Sequence, residues 1–449
     1  MKLHALSYNL PVLFALTACS SGLNLWPSAL GQNDPSPIPR YAVTDLGPAG
    51  NPFSQATWLN NSGLVTGFDI GPDGASHAVL WSNGTVEDIS QPGLGGPNSG
   101  AFAINQSGQV VGEAETSTPD PNNENVCGYG TGFQCLAFLW RDGVMTPLQP
   151  LGGTNSGISM VNGLGEIVGL AETATRDPEC PTGALPNGIG PLQFDYEAVI
   201  WGPDPGQIRE LLPESGDTVG VAMGINDGGQ AVGVSGRCGN TVPPGFVAGP
   251  HAVLWDRDGT VHDLGSFGGT SNLAVPAVGN AAVAINNAGQ VVGTSALPDN
   301  QENQPFLWTS KTGMRHLELL SGDVVGAGLG INNRGEVVGA SISQGGPASG
   351  NPKAVVWRNG TDGPVTDLNN YIAGSAFDGG QLLTAYSIND VGEIAGFGVT
   401  STGELHAFLA TPCNGNSPNC QDGTTPTKSG VALTGDARRQ FLRLGMRGH

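Results

Sequence analysis

The chain has 449 residues, of which 72 are glycine and 33 are proline, and its 17 basic and 38 acidic residues give a net charge of −21. Glycine and proline both destabilise helix interiors, so this composition excludes a mainly helical fold and predicts many short strands joined by turns. Charged residues make up only 12% of the chain, which argues against disorder caused by excess charge. The basic residues are scattered, which excludes nucleic acid as a partner because polyanion binding needs clustered Lys and Arg.

The N-terminus predicts export. Lys2 precedes a short apolar run over residues 10–18, which is too short to cross a bilayer but suits the core of a secretory signal. The Leu-Thr-Ala-Cys sequence that ends at Cys19 resembles the bacterial lipobox, in which the cysteine is lipid-modified. We therefore expect a signal peptide over 1–18, lipid attachment at Cys19 and a flexible tether over 19–39. These features predict an outer-membrane or cell-surface lipoprotein, and an ordinary cleaved signal on a secreted protein is the alternative.

One short motif recurs seven times: an apolar residue, then Asn, two variable residues and Gly. The Asn side chain can bond the backbone that follows, and the Gly suits the left-handed conformation of a tight hairpin. Measured from Asn to Asn, the intervals are 45, 57, 64, 60, 46 and 57 residues, which is the size of a propeller blade. The seven asparagines are Asn60, Asn105, Asn162, Asn226, Asn286, Asn332 and Asn389.

Each copy of the motif predicts four strands, which we call A to D. Strand A is rich in small residues and precedes the Asn turn, as in residues 282–285, and strand B follows the turn, as in residues 290–293. Strand C ends in Trp in six copies, as in residues 251–255, and strand D follows a short turn that contains Gly, as in residues 260–264. Alternating apolar and β-branched residues between such turns are typical of strands.

The two ends of the chain predict a closed ring. Residues 41–47 form a D strand with no A, B or C before it, and residues 406–410 form a C strand with no D after it. We therefore predict an all-β, seven-bladed propeller with four-stranded blades over 40–412, closed by pairing of the N-terminal strand with the three C-terminal strands. Strand A would lie nearest the axis, where Trp58 fills the channel or serves as a ligand platform. The tail over 413–449 is expected to be frayed, with a basic amphipathic helix on anionic lipid as the alternative.

The recurring strand and turn sequences resemble a known family. The His-Ala-Phe/Val-Leu-Trp strand, the Asn-x-x-Gly-Gln/Glu-Val-Val-Gly hairpin and the Asp-Leu-Gly ending are similar to the HAF family of probable extracellular repeats in bacteria, over roughly residues 41–411. His77, His251 and His406 match the histidine that names the family, and other residues replace it in the remaining copies. The resemblance implies an extracellular location but no activity, because none is established for the family.

Loop length and cysteine position indicate that one part of the ring, formed by repeats two to four, carries the binding site. The B–C loops of repeats two, three and four are long, over Glu113–Cys135, Leu170–Tyr196 and Val234–Pro250, and long loops on a rigid scaffold often carry binding sites. Six cysteines remain besides Cys19, and an even number in an exported protein predicts disulfides. Of the fifteen possible connectivities, we predict the pairs Cys127–Cys135, Cys180–Cys238 and Cys413–Cys420. No Cys-x-x-Cys or paired His spacing favours zinc.

Charged and aromatic residues of these loops are the candidates for ligand binding, because carbohydrate sites combine aromatic faces with carboxylates. The alternative is that these side chains are solvated on the loop surface and bind no ligand. With Trp58, the candidates are Glu113, Glu115, Tyr129, Phe133, Arg176, Asp177, Phe194, Tyr196 and Arg237. No cofactor is expected except calcium, for which the acidic and amide side chains of 120–124 and 299–303 offer oxygen ligands without the spacing of a known calcium loop.

The sequence contains no Gly-x-Ser-x-Gly elbow, no phosphate-binding loop and no His-Glu-x-x-His motif, so no catalytic residue is assigned. These observations predict an exported, lipid-anchored, monomeric binding or adhesion module with a glycan, peptidoglycan or protein ligand on the face of the long loops. The lipid anchor would be its sole contact with the membrane. The alternative is a cell-envelope enzyme, a glycoside hydrolase or lyase, that acts on polysaccharide through carboxylates near the channel mouth.

Overall fold

The computed structural model describes residues 39–47, 53–180, 192–204, 206–238, 249–271, 278–343, 352–358, 360–373, 377, 380–413 and 420. The predicted signal peptide, Cys19, nearly all of the tether and most of the C-terminal tail lie outside the described residues. The described part of the chain consists of strands and two short 3-10 helices, and it contains no α-helix. This confirms the all-β prediction.

The strands form seven sheets around a ring, and six of these sheets follow chain order. Blade 1 contains β2 (Ser54–Leu59), β3 (Val65–Ile70), β4 (Ser76–Ser82) and β5 (Thr85–Asp88). Blade 2 contains β6 (Gly95–Ile104), β7 (Val110–Pro119), β8 (Phe133–Arg141) and β9 (Val144–Leu148). Blade 3 contains β10 (Gly152–Val161), β11 (Ile167–Arg176), β12 (Phe194–Trp201) and β13 (Ile208–Leu211). Blade 4 contains β14 (Val219–Ile225), β15 (Ala231–Gly236), β16 (His251–Trp255) and β17 (Val261–Asp263).

The remaining blades have the same order of strands A to D. Blade 5 contains β18 (Ala281–Ile285), β19 (Val291–Ala296), β20 (Asn303–Thr309) and β21 (Gly313–His316). Blade 6 contains β22 (Asp323–Ile331), β23 (Val337–Ser343), β24 (Pro352–Trp357) and β25 (Val365–Asp367), with 3-10 helices at Gly360–Asp362 and Leu368–Asn370. Blade 7 contains β1 (Tyr41–Asp45), β26 (Ile372–Ala373), β27 (Gln381–Ile388), β28 (Ile394–Val399) and β29 (Leu405–Pro412).

Blade 7 closes the ring as predicted. Strand β1 pairs antiparallel with β29, with Tyr41 opposite Pro412 and Asp45 opposite Phe408. One detail differs from a four-stranded blade: the short β26 pairs in parallel with β1 and makes this sheet five-stranded. The closing strand comes from the opposite end of the chain, so the ring has no long unpaired edge at this blade.

The recurring glycine of strand B is explained by a close approach of two backbones. A Cβ on Gly233 would clash with the carbonyl oxygen of Val221 on the neighbouring strand A, so only glycine fits there. The same clash with a strand A carbonyl oxygen would occur at Gly67, Gly112, Gly169, Gly293, Gly339 and Gly396.

The motif asparagines join the blades to one another. Within its own blade, the Asn226 side-chain oxygen accepts a hydrogen bond from the Gln230 backbone N–H at 3.0 Å, while its Nδ2 donates to the Asn286 carbonyl oxygen of the next blade at 3.2 Å. Every blade repeats the second bond, and Asn389 donates to the Asn60 carbonyl oxygen at 3.0 Å. The result is a closed ring of seven inter-blade hydrogen bonds, which we call the asparagine ring.

Three tryptophans at the end of strand C make a second type of connection between blades. Trp201, Trp255 and Trp357 are at most 1% exposed. The indole N–H groups of these residues donate to carbonyl oxygens of the preceding blade, with distances of 3.0, 2.7 and 2.7 Å to Gln149, Leu212 and Glu318. The same bond therefore connects strand C to the preceding blade in three of the seven blades.

Candidate binding site

The long B–C loops lie together on one face of blades 2 to 4, but they are shorter than predicted. Strands β7 and β11 continue to Pro119 and Arg176, because residues predicted as loop still pair with the neighbouring strand: Glu115 lies opposite Cys135, and Glu172 lies opposite Tyr196. The segments that leave the sheets are 120–132, 177–193 and 237–250. We call the described parts of these three segments, together with the flanking strand residues Phe133, Arg176 and Phe194, the loop platform.

The three predicted disulfides are confirmed. Cys127 pairs with Cys135 within the blade 2 loop, Cys180 pairs with Cys238, and Cys413 pairs with Cys420, with Cα–Cα distances of 5.9, 4.6 and 5.7 Å. The second pair joins the loops of blades 3 and 4. Glu113 lies close to the first pair and Asp177 close to the second, but disulfide sulfurs offer no thiolate to a metal, so these groups do not suit zinc.

Polar contacts also join the three loops. Gln193 of the blade 3 loop donates its backbone N–H to Glu124 Oε1 at 2.5 Å and its side-chain amide to the Asn122 carbonyl oxygen at 2.8 Å, both in the blade 2 loop. Arg237 and Glu179 form an ion pair of 2.7 Å between the loops of blades 4 and 3. The platform is therefore one connected surface, in which each loop is held by its neighbour.

The structure divides the predicted binding residues into an inner and an outer set. The inner set is buried beneath the platform and consists of Glu113, Glu115, Asp177 and Tyr196. The outer set is half-buried or exposed on the platform and consists of Tyr129, Phe133, Arg176, Phe194 and Arg237. Trp58 belongs to neither set, because it lies at the propeller axis.

Within the outer set, an arginine and an aromatic ring form a composite surface. The Arg176 guanidinium carbon lies 5.9 Å from the centre of the Phe194 ring, and Arg176 Nη2 donates to Gln193 Oε1 at 2.8 Å. The hydrogen bond holds the guanidinium over the ring, a geometry in which the cation is attracted to the π face. A planar, partly apolar surface beside a fixed positive charge is thus presented beside the blade 3 loop.

Several acidic groups beneath the platform have raised pKa values. Burial raises the pKa of Glu113 and of Glu197 to about 8, and burial together with contact to Asp177 raises the pKa of Asp195 to about 6. Burial and contact with Glu172 raise the pKa of Glu124 to about 9. Glu172 is not recognisable from the sequence as a site residue, because its position in strand B carries no signal of the loop that packs on it.

We expect Glu113→Gln to flatten the pH dependence of stability between pH 4.5 and about 8. Burial raises the pKa of Glu113 from 4.5 to about 8, so the folded state binds a proton more tightly than the unfolded state, and its stability decreases as pH rises through this window. The variant should lose a slope in unfolding free energy against pH on the order of 1 kcal/mol per pH unit. Glutamine keeps the acceptor for the Ile158 N–H, which lies 3.1 Å from Glu113 Oε1.

Denaturant unfolding of both chains across this pH range measures the effect. Glu87→Gln, at an exposed position on β5, is the matched control and should leave the slope unchanged. If Glu113→Gln leaves the slope unchanged, the raised pKa of Glu113 is contradicted.

The axial channel is lined by a repeated backbone irregularity. In every blade, strand A contains a β-bulge three residues before the motif Asn, and the seven bulged residues are Thr57, Phe102, Ser159, Met223, Val283, Leu329 and Tyr386. Together with Trp58 and Met160, they line a cavity with a volume of about 40 Å³. Such a volume holds a few water molecules rather than a sugar ring. The large side chains therefore occupy most of the channel at this level.

The histidines that match the family motif are held by carboxylates. His77 Nδ1 lies 3.0 Å from Asp88, His251 Nδ1 lies 2.8 Å from Asp217, and His406 Nδ1 lies 3.0 Å from Asp45. The last of these contacts joins the two ends of the chain across the closing blade. Each of these contacts fixes the imidazole beside a neighbouring carboxylate.

No family model and no curated protein matches this chain. Among solved structures, it is similar to virginiamycin B lyase from Staphylococcus aureus, with 11% identity, a TM-score of 0.46 and coverage of 83% of this chain and 100% of that one. Acylaminoacyl peptidase from Pyrococcus horikoshii has 12% identity and a TM-score of 0.46, over 83% of this chain and 54% of that one. The propeller domain of the trilobed protease from Pyrococcus furiosus has 11% identity and a TM-score of 0.45, over 84% and 99%. These distant propellers carry no argument about function.

The helices in the described part of the chain are too short to span a membrane.

Proposed function

We propose that this protein is an exported, lipid-anchored binding module of the bacterial cell envelope, similar to HAF-repeat proteins, that recognises a glycan such as peptidoglycan on its loop platform. The observation that carries the proposal is the connection of three loops into one surface by the Cys180–Cys238 disulfide, the Arg237–Glu179 ion pair and the Gln193 hydrogen bonds. A surface ordered before binding loses less conformational entropy when a ligand binds, which favours recognition.

The chemistry of the platform suits a sugar. Tyr129, Phe133 and Phe194 provide partly exposed rings against which the apolar face of a pyranose can stack, and Arg176 and Arg237 can donate to hydroxyl or carboxylate oxygens. The N-terminal signal and Cys19 support placement at the cell envelope, where glycans are abundant. Disulfides are also typical of exported proteins.

The proposal is tested with residues 20–449 on a glycan array and in a sedimentation assay with insoluble peptidoglycan. Phe194→Ala and Arg176→Ala should each weaken binding at least about tenfold, because each removes one half of the composite surface. Phe267→Ala is the matched control, since Phe267 is a half-buried aromatic residue outside the platform and should leave binding unchanged.

Two outcomes would contradict the proposal. If the chain binds neither the array nor peptidoglycan but binds a protein, and Phe194→Ala abolishes that binding, the proposed ligand class is wrong. If the chain releases reducing ends from a polysaccharide and Asp195→Asn abolishes the release, the protein is an enzyme. Asp195 is the residue chosen for this arm because burial together with contact with Asp177 raises its pKa to about 6, a value that suits a general acid.

A further inference from the structure

Three acidic side chains from two blades meet beneath the loop platform. Asp120 and Glu124 belong to the blade 2 loop, and Glu172 lies on β11 of blade 3. The exposed fractions of these residues are 6%, 0% and 0%. Thr154 Oγ1 lies 2.7 Å from Asp120 Oδ2 and 3.1 Å from Glu172 Oε2, so the cluster lies at the junction of the two blades.

The hydrogen bonds within the cluster satisfy one oxygen of each glutamate and leave the other without a partner. Glu172 Oε2 accepts from the backbone N–H groups of Thr154 and Asn155 at 2.6 and 3.1 Å, and Glu124 Oε1 accepts from the Gln193 N–H at 2.5 Å. Glu124 Oε2 and Glu172 Oε1 are buried and accept no hydrogen bond. The two carboxyl groups are nevertheless in contact with each other.

No positively charged side chain, whether Lys, Arg or His, forms an ion pair with these acidic residues in the described part of the chain. Burial of a carboxylate without a compensating charge costs several kcal/mol, and two carboxylates in contact repel each other in addition. A proton or a cation between Glu124 and Glu172 removes this cost.

We propose that Glu124 and Glu172 bind a calcium ion that ties the blade 2 loop to blade 3. The direct ligands are the unpartnered oxygens Glu124 Oε2 and Glu172 Oε1, and the Asp120 carboxylate adds negative charge beside them. Carboxylate oxygens are the ligands that Ca²⁺ prefers, and extracellular modules bind it with dissociation constants of about 10⁻⁴ to 10⁻³ M. The site goes beyond the proposed function and does not depend on the identity of the platform ligand.

The rival occupant is a shared proton, and the two make opposite predictions. Burial and contact with Glu172 raise the pKa of Glu124 to about 9, so Glu124 is protonated at neutral pH when no cation is bound. In that case stability is insensitive to calcium and falls as pH rises towards 9. With calcium bound, the cation replaces the proton and the stability of the loop depends on calcium concentration.

Thermal unfolding of residues 20–449 at neutral pH tests the site. After treatment with EDTA, about 10 mM CaCl₂ should raise the unfolding midpoint by about 2–4 °C, since this concentration is ten to a hundred times the expected dissociation constant. Glu124→Gln and Glu172→Gln should each lose this shift. Glu302→Gln is the matched control, because Glu302 lies in the other acidic segment proposed for calcium, on blade 5, and should keep the full shift.

Calcium titration calorimetry on the wild-type chain provides a second measurement that needs no variant to fold. It should show one saturable site per chain. Absence of a saturable site, or a shift that persists in Glu124→Gln, would overturn the proposal. A wild-type chain that ignores calcium, together with Glu124→Gln that is at least as stable as the wild type and has lost the decline towards pH 9, would establish the shared proton instead.

Discussion

Replacing Trp255 with alanine is expected to lower the free energy of unfolding by about 3–5 kcal/mol. The Trp255 side chain is 0% exposed on strand β16, and its indole N–H donates to the Leu212 carbonyl oxygen of blade 3 at 2.7 Å. Truncation removes the apolar ring from the inter-sheet core, leaves a cavity, and deprives the Leu212 carbonyl of its donor. Chemical denaturation followed by far-UV circular dichroism, which does not depend on tryptophan fluorescence, measures the change in unfolding free energy.

Two further variants separate packing from hydrogen bonding. Trp255→Phe retains most of the apolar surface but lacks the N–H, so it should cost about 1–3 kcal/mol. Trp308→Ala changes the corresponding tryptophan of strand C in blade 5, which is half-buried, and should cost less than Trp255→Ala. An equal or larger loss at Trp308 would show that burial between blades does not determine the effect.

Asn226→Asp is expected to destabilise the propeller by about 1–3 kcal/mol at neutral pH. Aspartate keeps the oxygen that accepts from the Gln230 N–H but loses the amide that donates to the Asn286 carbonyl and to Gln230 Oε1, at 3.2 and 3.1 Å. The new carboxylate then faces two oxygens at a position that is 4% exposed. Both the lost donor and the repulsion weaken the asparagine ring.

The loss should depend on pH in a defined direction. Repulsion raises the pKa of the introduced carboxyl group above its unfolded value, so the variant recovers stability as pH falls and the protonated group can again donate a hydrogen bond. Denaturant unfolding at neutral and acidic pH provides the measurement, with Asn83→Asp at an exposed turn as the control. A pH-independent loss, or an equal loss in the control, would contradict the role of the ring.

The fold was largely predictable because its signals are local and repeated. Strand C has Trp at or near its end in six copies, strand B has Gly as its third residue, and each A–B turn has the same Asn and Gly, so the order of strands in each blade follows from neighbouring residues. The D strand before Asn60 and the C strand before Cys413 are incomplete units, and together they indicate ring closure. The disulfide pairs were also predictable, because each partner lies in the same loop or in the loop of the adjacent repeat.

The candidate site was less predictable, since it depends on where each strand stops. The sequence of residues 113–119 and 170–176 reads as loop because it is polar, yet backbone pairing continues through it and turns Glu113, Glu115 and Glu172 inward. Phe194 is half-buried and Arg176 is exposed, so both remain candidates for ligand binding. The contact of Glu172 with Glu124 was not foreseen, because it joins two different blades.

The sequence alone determined the number of blades, the order of their strands and the closure of the ring, since these follow from short patterns repeated along the chain. The cysteine pairs were predicted from the positions of the cysteines in neighbouring loops. Only the tertiary structure showed the asparagine ring, the seven axial bulges and the buried acidic cluster. The bulges depend on the pairing of strands A and B within one blade, and the ring and the cluster require atoms from neighbouring blades to meet within a few ångströms. Such distances depend on how one sheet packs on the next, and no pattern within a single repeat encodes them.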